Sequence, residues 1–264
     1  EAVAWYRGVT PHRDLFSPNR FPYAGSVGEL FDFIEKLQML SGKPVGFKTI
    51  ISDREGFAPI AAEIRKRLAQ NRSIPDFITI DGGEGGSATA PIELMERIGL
   101  GIKDAIYLAD EILKEHGVRE DVTLIASGKA LTPDNVVILL ALGADLVGIA
   151  RGFMMSAGCI RARVCSGAGK HQCPVGLATQ DKRRRKAYIV HKYATMVENY
   201  HRNMRKSIRS LLAVMGLHDI RSLGKEHLIF VDENENIHND VKHYLDRKFT
   251  HVPQQEDLHT SALV

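Results

Sequence analysis

Short apolar runs alternate with amphipathic stretches from Lys43 to Gly152, and each run ends in polar or glycine-bearing sequence. KPVGFKTII (Lys43–Ile51) is an apolar run closed by polar residues and predicts a buried strand. APIAAEIRKRLAQ follows with helical spacing, and DFITID predicts a second strand that opens into GGEGGSATAP. In GIKDAIYLADEILKEHG, Ile102, Ile106, Ala109 and Leu113 share one helical face and Gly117 marks the stop. DVTLIASGK predicts a third strand. TPDNVVILLALG then predicts a helix with Thr132 as N-cap, Pro133 at its first position and Gly143 beyond its end. ADLVGIARG predicts a fourth strand. Strand and helix alternating with short linkers predict an α/β fold of parallel strands with right-handed crossovers.

Beyond this core, Val190, Tyr193, Val197, Tyr200, Met204, Ile208, Leu211 and Met215 recur at helical steps and predict one long amphipathic helix whose apolar face packs on the core. The sequence turns polar after Phe230, and residues 233–264 read as an extension with weak structure. The expected organisation is a β/α portion over 1–152, a cysteine-rich loop over 153–181, a helical segment over 182–232 and the polar extension. No solenoid-type repeat is present.

The 264 residues carry 35 Lys and Arg against 32 Asp and Glu, a net charge of +3 that gives no case for nucleic acid. The dense run KRRRK (Lys182–Lys186) reads as a solvated helix start, or as a contact for an acidic electron carrier. No apolar run reaches the roughly eighteen residues of a membrane span, and the N-terminus lacks signal-peptide order, so a cytoplasmic protein is expected. Three cysteines are too few, and odd in number, for a secreted disulfide scaffold.

Two groups of residues suggest chemistry. ASGKA and GIARG end successive strands, and a barrel phosphate site forms between two such loops, where glycine lets backbone amides approach the anion and Arg151 adds a bidentate clamp. Taken alone, Gly128 and Gly148 serve turns equally well. The second group is Cys159, Cys165 and Cys173, with Pro174 directly after the last. Their spacing is not that of a zinc finger, but three soft thiolates on one loop suit an iron–sulfur cluster. His171 offers a Cys₃His zinc set instead, and unligated thiols are the remaining reading.

The segments LFSPNRFPYAGSVGEL, KPVGFKTI, PDFITIDGGEGGSATAP, ASGKALTPDNVVILLALGAD, GCIRARVC and CPVGLATQD run in one order from Leu15 to about Phe230. In these the chain resembles the FMN-binding barrel domain of glutamate synthase and its stand-alone relatives. The resemblance implies a TIM barrel of (β/α)₈ type carrying FMN and a [3Fe–4S] cluster. Electrons enter through the cluster and pass as hydride to 2-iminoglutarate, made from 2-oxoglutarate and ammonia, to yield L-glutamate. It implies Lys48 beside the flavin ring, where a cation stabilises anionic reduced flavin. Without flavin, Lys48 reads as a salt-bridged barrel lysine. The resemblance places Gly82, Gly83, Gly85 and Gly86 in the loop near flavin and substrate. Ser127, Gly128 and Lys129, with Gly148, Ala150 and Arg151, fall at the FMN phosphate, and Cys159, Cys165 and Cys173 at the cluster. Glu84 receives no role.

Two departures accompany it. Seven residues separate Cys165 from Cys173, where the family usually has four, and only four strand–helix units are found. The chain therefore reads as the C-terminal half of a barrel, with edge strands left open. The first half comes from a longer chain, from another chain, or from self-pairing. The implied partners are 2-oxoglutarate or glutamate, an electron-donor protein or reductase subunit, a glutaminase subunit and a chain supplying the N-terminal half-barrel. The alternatives are a related synthase acting on N-methylglutamate, or a non-catalytic half-barrel whose cysteines hold zinc or nothing. No nicotinamide fingerprint follows a strand, so NADPH, NADH and ferredoxin stay open as reductants.

Overall fold

The computed structural model describes residues 2–14, 21–84, 98–165, 172–179, 181–232 and 234–250. Four strands form one parallel sheet: β1 (Phe47–Ile50), β2 (Phe77–Asp81), β3 (Thr123–Ser127) and β4 (Leu146–Gly148), in the order β1-β2-β3-β4. Among the described residues, β1 and β4 are its two edges. Ahead of the sheet lie α1 (Ala2–Arg7) and α2 (Val27–Ser41). Between the strands come α3 (Arg54–Ala69), α4 (Ile102–Glu115) and α5 (Pro133–Ala141), and β4 leads into the short α6 (Arg151–Ser156). Each connection advances one strand in the same direction. With right-handed crossovers this stacks the helices on one face and leaves the other open. Such a singly wound arrangement is a segment of a (β/α) barrel, whereas a doubly wound sheet reverses at a switch point.

Local sequence accounts for the helix starts. Asp53 Oδ1 accepts the Gly56 N–H at 2.7 Å at the head of α3, and Ser26 Oγ accepts the Glu29 N–H at 3.2 Å at the head of α2. Pro133 opens α5 as expected. The Thr132 hydroxyl, however, accepts the Asn135 side-chain amide at 2.8 Å and makes no cap bond to the backbone. Ile78, Ile80, Leu124 and Ala126 of β2 and β3 are fully buried on the helix-covered face. Arg67 of α3 is buried too, where its guanidinium bonds Glu63, the Gly28 carbonyl and Asp32.

The amphipathic helix is present as α8 (Val190–Val214), preceded by α7 (Lys182–Ala187), which holds the basic run. It packs on α5 and α6, so only the positions facing those two helices are covered. Met204 and Leu212 are buried, whereas Val190 stands in solvent. Among the described residues, which end at 250, the polar C-terminal stretch is more structured than its composition suggests. A two-strand antiparallel hairpin of β5 (Phe230–Val231) and β6 (Ile237–His238) leads into α9 (Val241–Thr250). Val241 and Leu245 are buried, Phe249 stacks on Tyr107 of α4, and the Tyr107 hydroxyl bonds Asp246. The apolar positions 241, 245 and 249 fall four apart, a helical signal diluted by the surrounding charge. This docking explains why α4 is buried nearly all round, carrying Tyr107 and Asp110 inside as well as Ile102, Ile106, Ala109 and Leu113. Asp110 answers three cations: Lys114 at 2.7 Å, Arg119 at 2.8 Å and Lys225 at 2.8 Å. Among the described residues no helix is long and apolar enough to cross a membrane.

Candidate functional site

Strand register assembles the site. In a parallel sheet, paired residues point to the same face. Ile50, Asp81, Ser127 and Gly148 pair in sequence across the four strands, forming one row at the C-terminal edge. Lys48, Thr79, Ile125 and Leu146 form the row beneath it. Both rows lie on the face that carries no helix among the described residues, and there Ile50 is 48% exposed and Leu146 56% exposed.

Lys48 crosses one strand to pair with Asp81, Nζ to Oδ2 2.7 Å, with the lysine side chain 62% exposed. The salt-bridged geometry is therefore present on the open face, next to the strand ends. Asp81 was not singled out from the sequence. Its signal was its position, as the last residue of a strand directly before a glycine-rich loop.

The two proposed anion loops sit side by side because Ser127 pairs with Gly148. Gly128 and the exposed Lys129, at φ +37°, follow Ser127, while Ile149 and Ala150 lead from Gly148 to Arg151 at the head of α6. The glycine-rich loop joins the same edge: Gly82 N–H donates to the Ser127 carbonyl at 2.9 Å and Gly83 N–H to the Leu100 carbonyl at 2.8 Å. Gly85 and Gly86 lie outside the described residues. Glu84 has a structural task. Its carboxylate oxygens accept the Ile102 N–H at 3.0 and 3.1 Å, capping the start of α4.

All three cysteines are free thiols, Cys173 buried and Cys159 and Cys165 partly so. Burial opposes ionisation of Cys173, but the backbone N–H groups of Ala178, Val175, Leu177 and Gly176 turn toward its sulfur and hold its pKa below that of an ordinary thiol. The Pro-Val-Gly-Leu-Ala run that wraps the sulfur requires glycine at 176. Its φ is +79°, and a Cβ there would lie 2.3 Å from the Arg184 carbonyl oxygen of α7. Among the described residues no three His, Cys, Asp or Glu converge as a single-ion site. His171 and the rest of 166–171 lie outside the described residues. The donor set fits an iron–sulfur cluster in chemistry: three soft sulfurs, one of them in an amide cradle suited to anionic sulfur.

A family model described as a conserved region in glutamate synthase matches residues 1–218. The chain belongs to the glutamate synthase family. The glutamate synthase large subunit-like protein YerD of Bacillus subtilis (strain 168) is 41% identical over 239 residues, 90% of this chain and 44% of that protein. The archaeal-type glutamate synthase (NADPH) of Thermotoga sp. (strain RQ2) is 31% identical over 215 residues, 81% of this chain and 38% of that protein. The chain thus spans less than half the length of these glutamate synthase relatives. The flavin-binding domain of baker's yeast flavocytochrome b2 overlays 88% of this chain and 43% of its own at a TM-score of 0.46 and 11% identity, a level that adds nothing to the glutamate synthase assignment. Most of the docked C-terminal unit lies beyond the region matched by the glutamate synthase model.

Proposed function

We propose that this chain is the phosphate-binding and cluster-bearing half of an FMN-dependent glutamate synthase that reduces the imine of 2-oxoglutarate and ammonia to L-glutamate. The observation that carries the reading is the edge row, where Asp81, paired with Lys48 from the row beneath, stands next to Ser127 and the two adjacent glycine-bearing loops on the uncovered sheet face. FMN bound there would supply hydride to an imine carbon, and a [3Fe–4S] cluster would supply single electrons.

The chain's own residues have separable tasks. Ser127, Gly128 and Lys129, with Gly148, Ala150 and Arg151, hold the phosphate through backbone amides and two cations. Lys48 places a positive charge beside the ring, and Asp81 holds that ammonium in position. Gly82 and Gly83 keep their loop against β3 and the Leu100 segment that leads into α4. Cys159, Cys165 and Cys173 hold the cluster. The uncovered face with Ile50 and Leu146 takes the N-terminal half-barrel. Between 182 and 214 there are ten Lys and Arg against one Glu, which supports an acidic electron-donor protein or reductase subunit as partner, with a glutaminase subunit as nitrogen source. Three reduced thiols suit the cytoplasm.

The test is a titration of the purified chain with FMN, followed by flavin fluorescence and visible absorbance. Saturable binding that Arg151→Ala weakens is expected. A colourless protein that carries one zinc and ignores FMN would sink the proposal. Turnover by the longer protein with 2-oxoglutarate and ammonia, against methylamine, then separates glutamate formation from an N-methylglutamate activity.

A further inference from the structure

Cys159 occupies a defined position at the end of α6. Its N–H donates to the Met154 carbonyl at 3.0 Å, and the Gly158 N–H donates to the Met155 carbonyl at 2.9 Å. These two bonds, with Gly158 at φ +94°, form a Schellman stop, and Cys159 is the first residue after it. Since α6 begins at Arg151, a rigid six-residue helix links the proposed phosphate loop to this thiol.

Two tyrosines close on that turn from another part of the chain. The Tyr188 hydroxyl, just after α7, donates to the Ala157 carbonyl at 2.7 Å. The Tyr193 ring, from the first turn of α8, lies flat on Tyr188 with centroids 4.4 Å apart and planes 11° apart. Tyr193 also covers Gly158 so closely that a Cβ there would stand 2.4 Å from its ring. Further along α8, Tyr200 anchors the helix by donating to the Leu131 carbonyl at 2.9 Å and packing edge-on against Phe153 of α6. Aromatic stacking and a partly buried hydroxyl–carbonyl bond each restrain this turn beyond what the helix stop supplies.

We propose that Tyr188 and Tyr193 are positioning residues that fix the Cys159 sulfur relative to the flavin phosphate loop, setting one iron–sulfur ligand at a constant place. The proposal rests on the reading of Cys159 as a cluster ligand. The clamp acts through the Ala157–Gly158 turn and touches neither cluster nor flavin.

The experiment has two arms on the full chain. In the iron-free protein, the alkylation rates of Cys159 and Cys165 by iodoacetamide are compared by peptide mass spectrometry, with Cys165 as internal reference. In protein reconstituted anaerobically with iron and sulfide, cluster loss to a chelator and the oxidised-cluster electron paramagnetic resonance line are recorded. Tyr193→Ala is expected to raise the Cys159:Cys165 alkylation ratio several-fold, to hasten cluster loss and to broaden the resonance. Tyr188→Phe keeps the stack, loses the hydrogen bond and gives a smaller change of the same sign. Tyr193→Phe keeps the ring and restores the wild-type values. Thermal melts by circular dichroism identify a variant that has merely unfolded, and Tyr188→Phe keeps the question decidable if Tyr193→Ala does. Unchanged ratios and cluster lifetimes in both folded variants overturn the clamp. A wild-type chain that takes up no iron and sulfide overturns the ligand reading instead, and the alkylation arm then still decides whether the tyrosines hold the turn.

Discussion

The two faces of the parallel sheet share the same strands and differ in almost everything else. On the helix side, Ile78, Ile80, Leu124 and Ala126 are fully buried beneath helices that advance in one direction. On the other side, the same strands present Lys48, Asp81 and Ser127 together with Ile50 and Leu146, both about half in solvent. A closed barrel packs both faces of its strands. Here the covered face holds the fold and the uncovered face holds the candidate chemistry. A substitution on one face should therefore be felt in stability, and one on the other in ligand binding.

The largest expected effect lies behind the covered face. Asp110→Ala removes the buried carboxylate that Lys225 and Arg119 share, leaving Lys225 only Glu111 and Arg119 only Asp145, and should cost about 3–5 kcal/mol, read from the urea midpoint. An effect below about 1 kcal/mol, the range of exposed pairs, would show that the C-terminal unit is not held by this network. Next comes a matched pair. Ile80→Ala should cost about 2–5 kcal/mol as a core truncation. Ile50→Ala should cost less than half of that, because its side chain gives up little burial. Adding the N-terminal half-barrel should raise the Ile50 penalty toward that of Ile80, and equal costs in this chain alone would contradict the open face.

Lys48→Ala sharpens the comparison from the functional side. Its exposed pair with Asp81 contributes no more than about 1 kcal/mol, so the melt should barely move. FMN affinity should fall roughly tenfold, matching the loss of one charged contact of about 1.5 kcal/mol. The smallest effect is that of pH. Burial works against the Asp110 charge, but Lys114 and Lys225 outweigh it and hold the folded pKa below 3.8. A depressed carboxylate contributes stability above its unfolded pKa and loses it as pH falls through the folded value. The urea midpoint should therefore drop below about pH 4, and Asp110→Asn should flatten that limb of the curve.

How much was legible follows from the range of each signal. The β/α alternation was readable because period and punctuation are local: Pro133, Gly117 and Gly143 sit where helices start and stop. The charged segment at α9 hid a helix, because Val241, Leu245 and Phe249 become a face only when α4 is there to receive them. Glu84 received no role because nothing in the sequence fixes the geometry of a carboxylate in a glycine-rich loop. Its capping of Ile102 depends on residues 18 apart in sequence. Asp81 was passed over for the same reason, since its lysine lies on another strand. The cysteines were visible as a group, while the amide cradle around Cys173 and the tyrosines at Cys159 emerged only from the folded loop.

The sequence by itself determined the strand and helix order from Lys43 to Gly152, the parallel α/β class and the family, because these rest on patterns within one strand or helix and on contiguous motifs. The tertiary structure decided what stands next to what. It set the strand register that lines Lys48, Asp81, Ser127 and Gly148 on one face. It also set the docking of α9 on α4 and the tyrosine pair on the Cys159 turn. Those neighbours are brought together by closing long loops around a shared core, and no local propensity encodes that step.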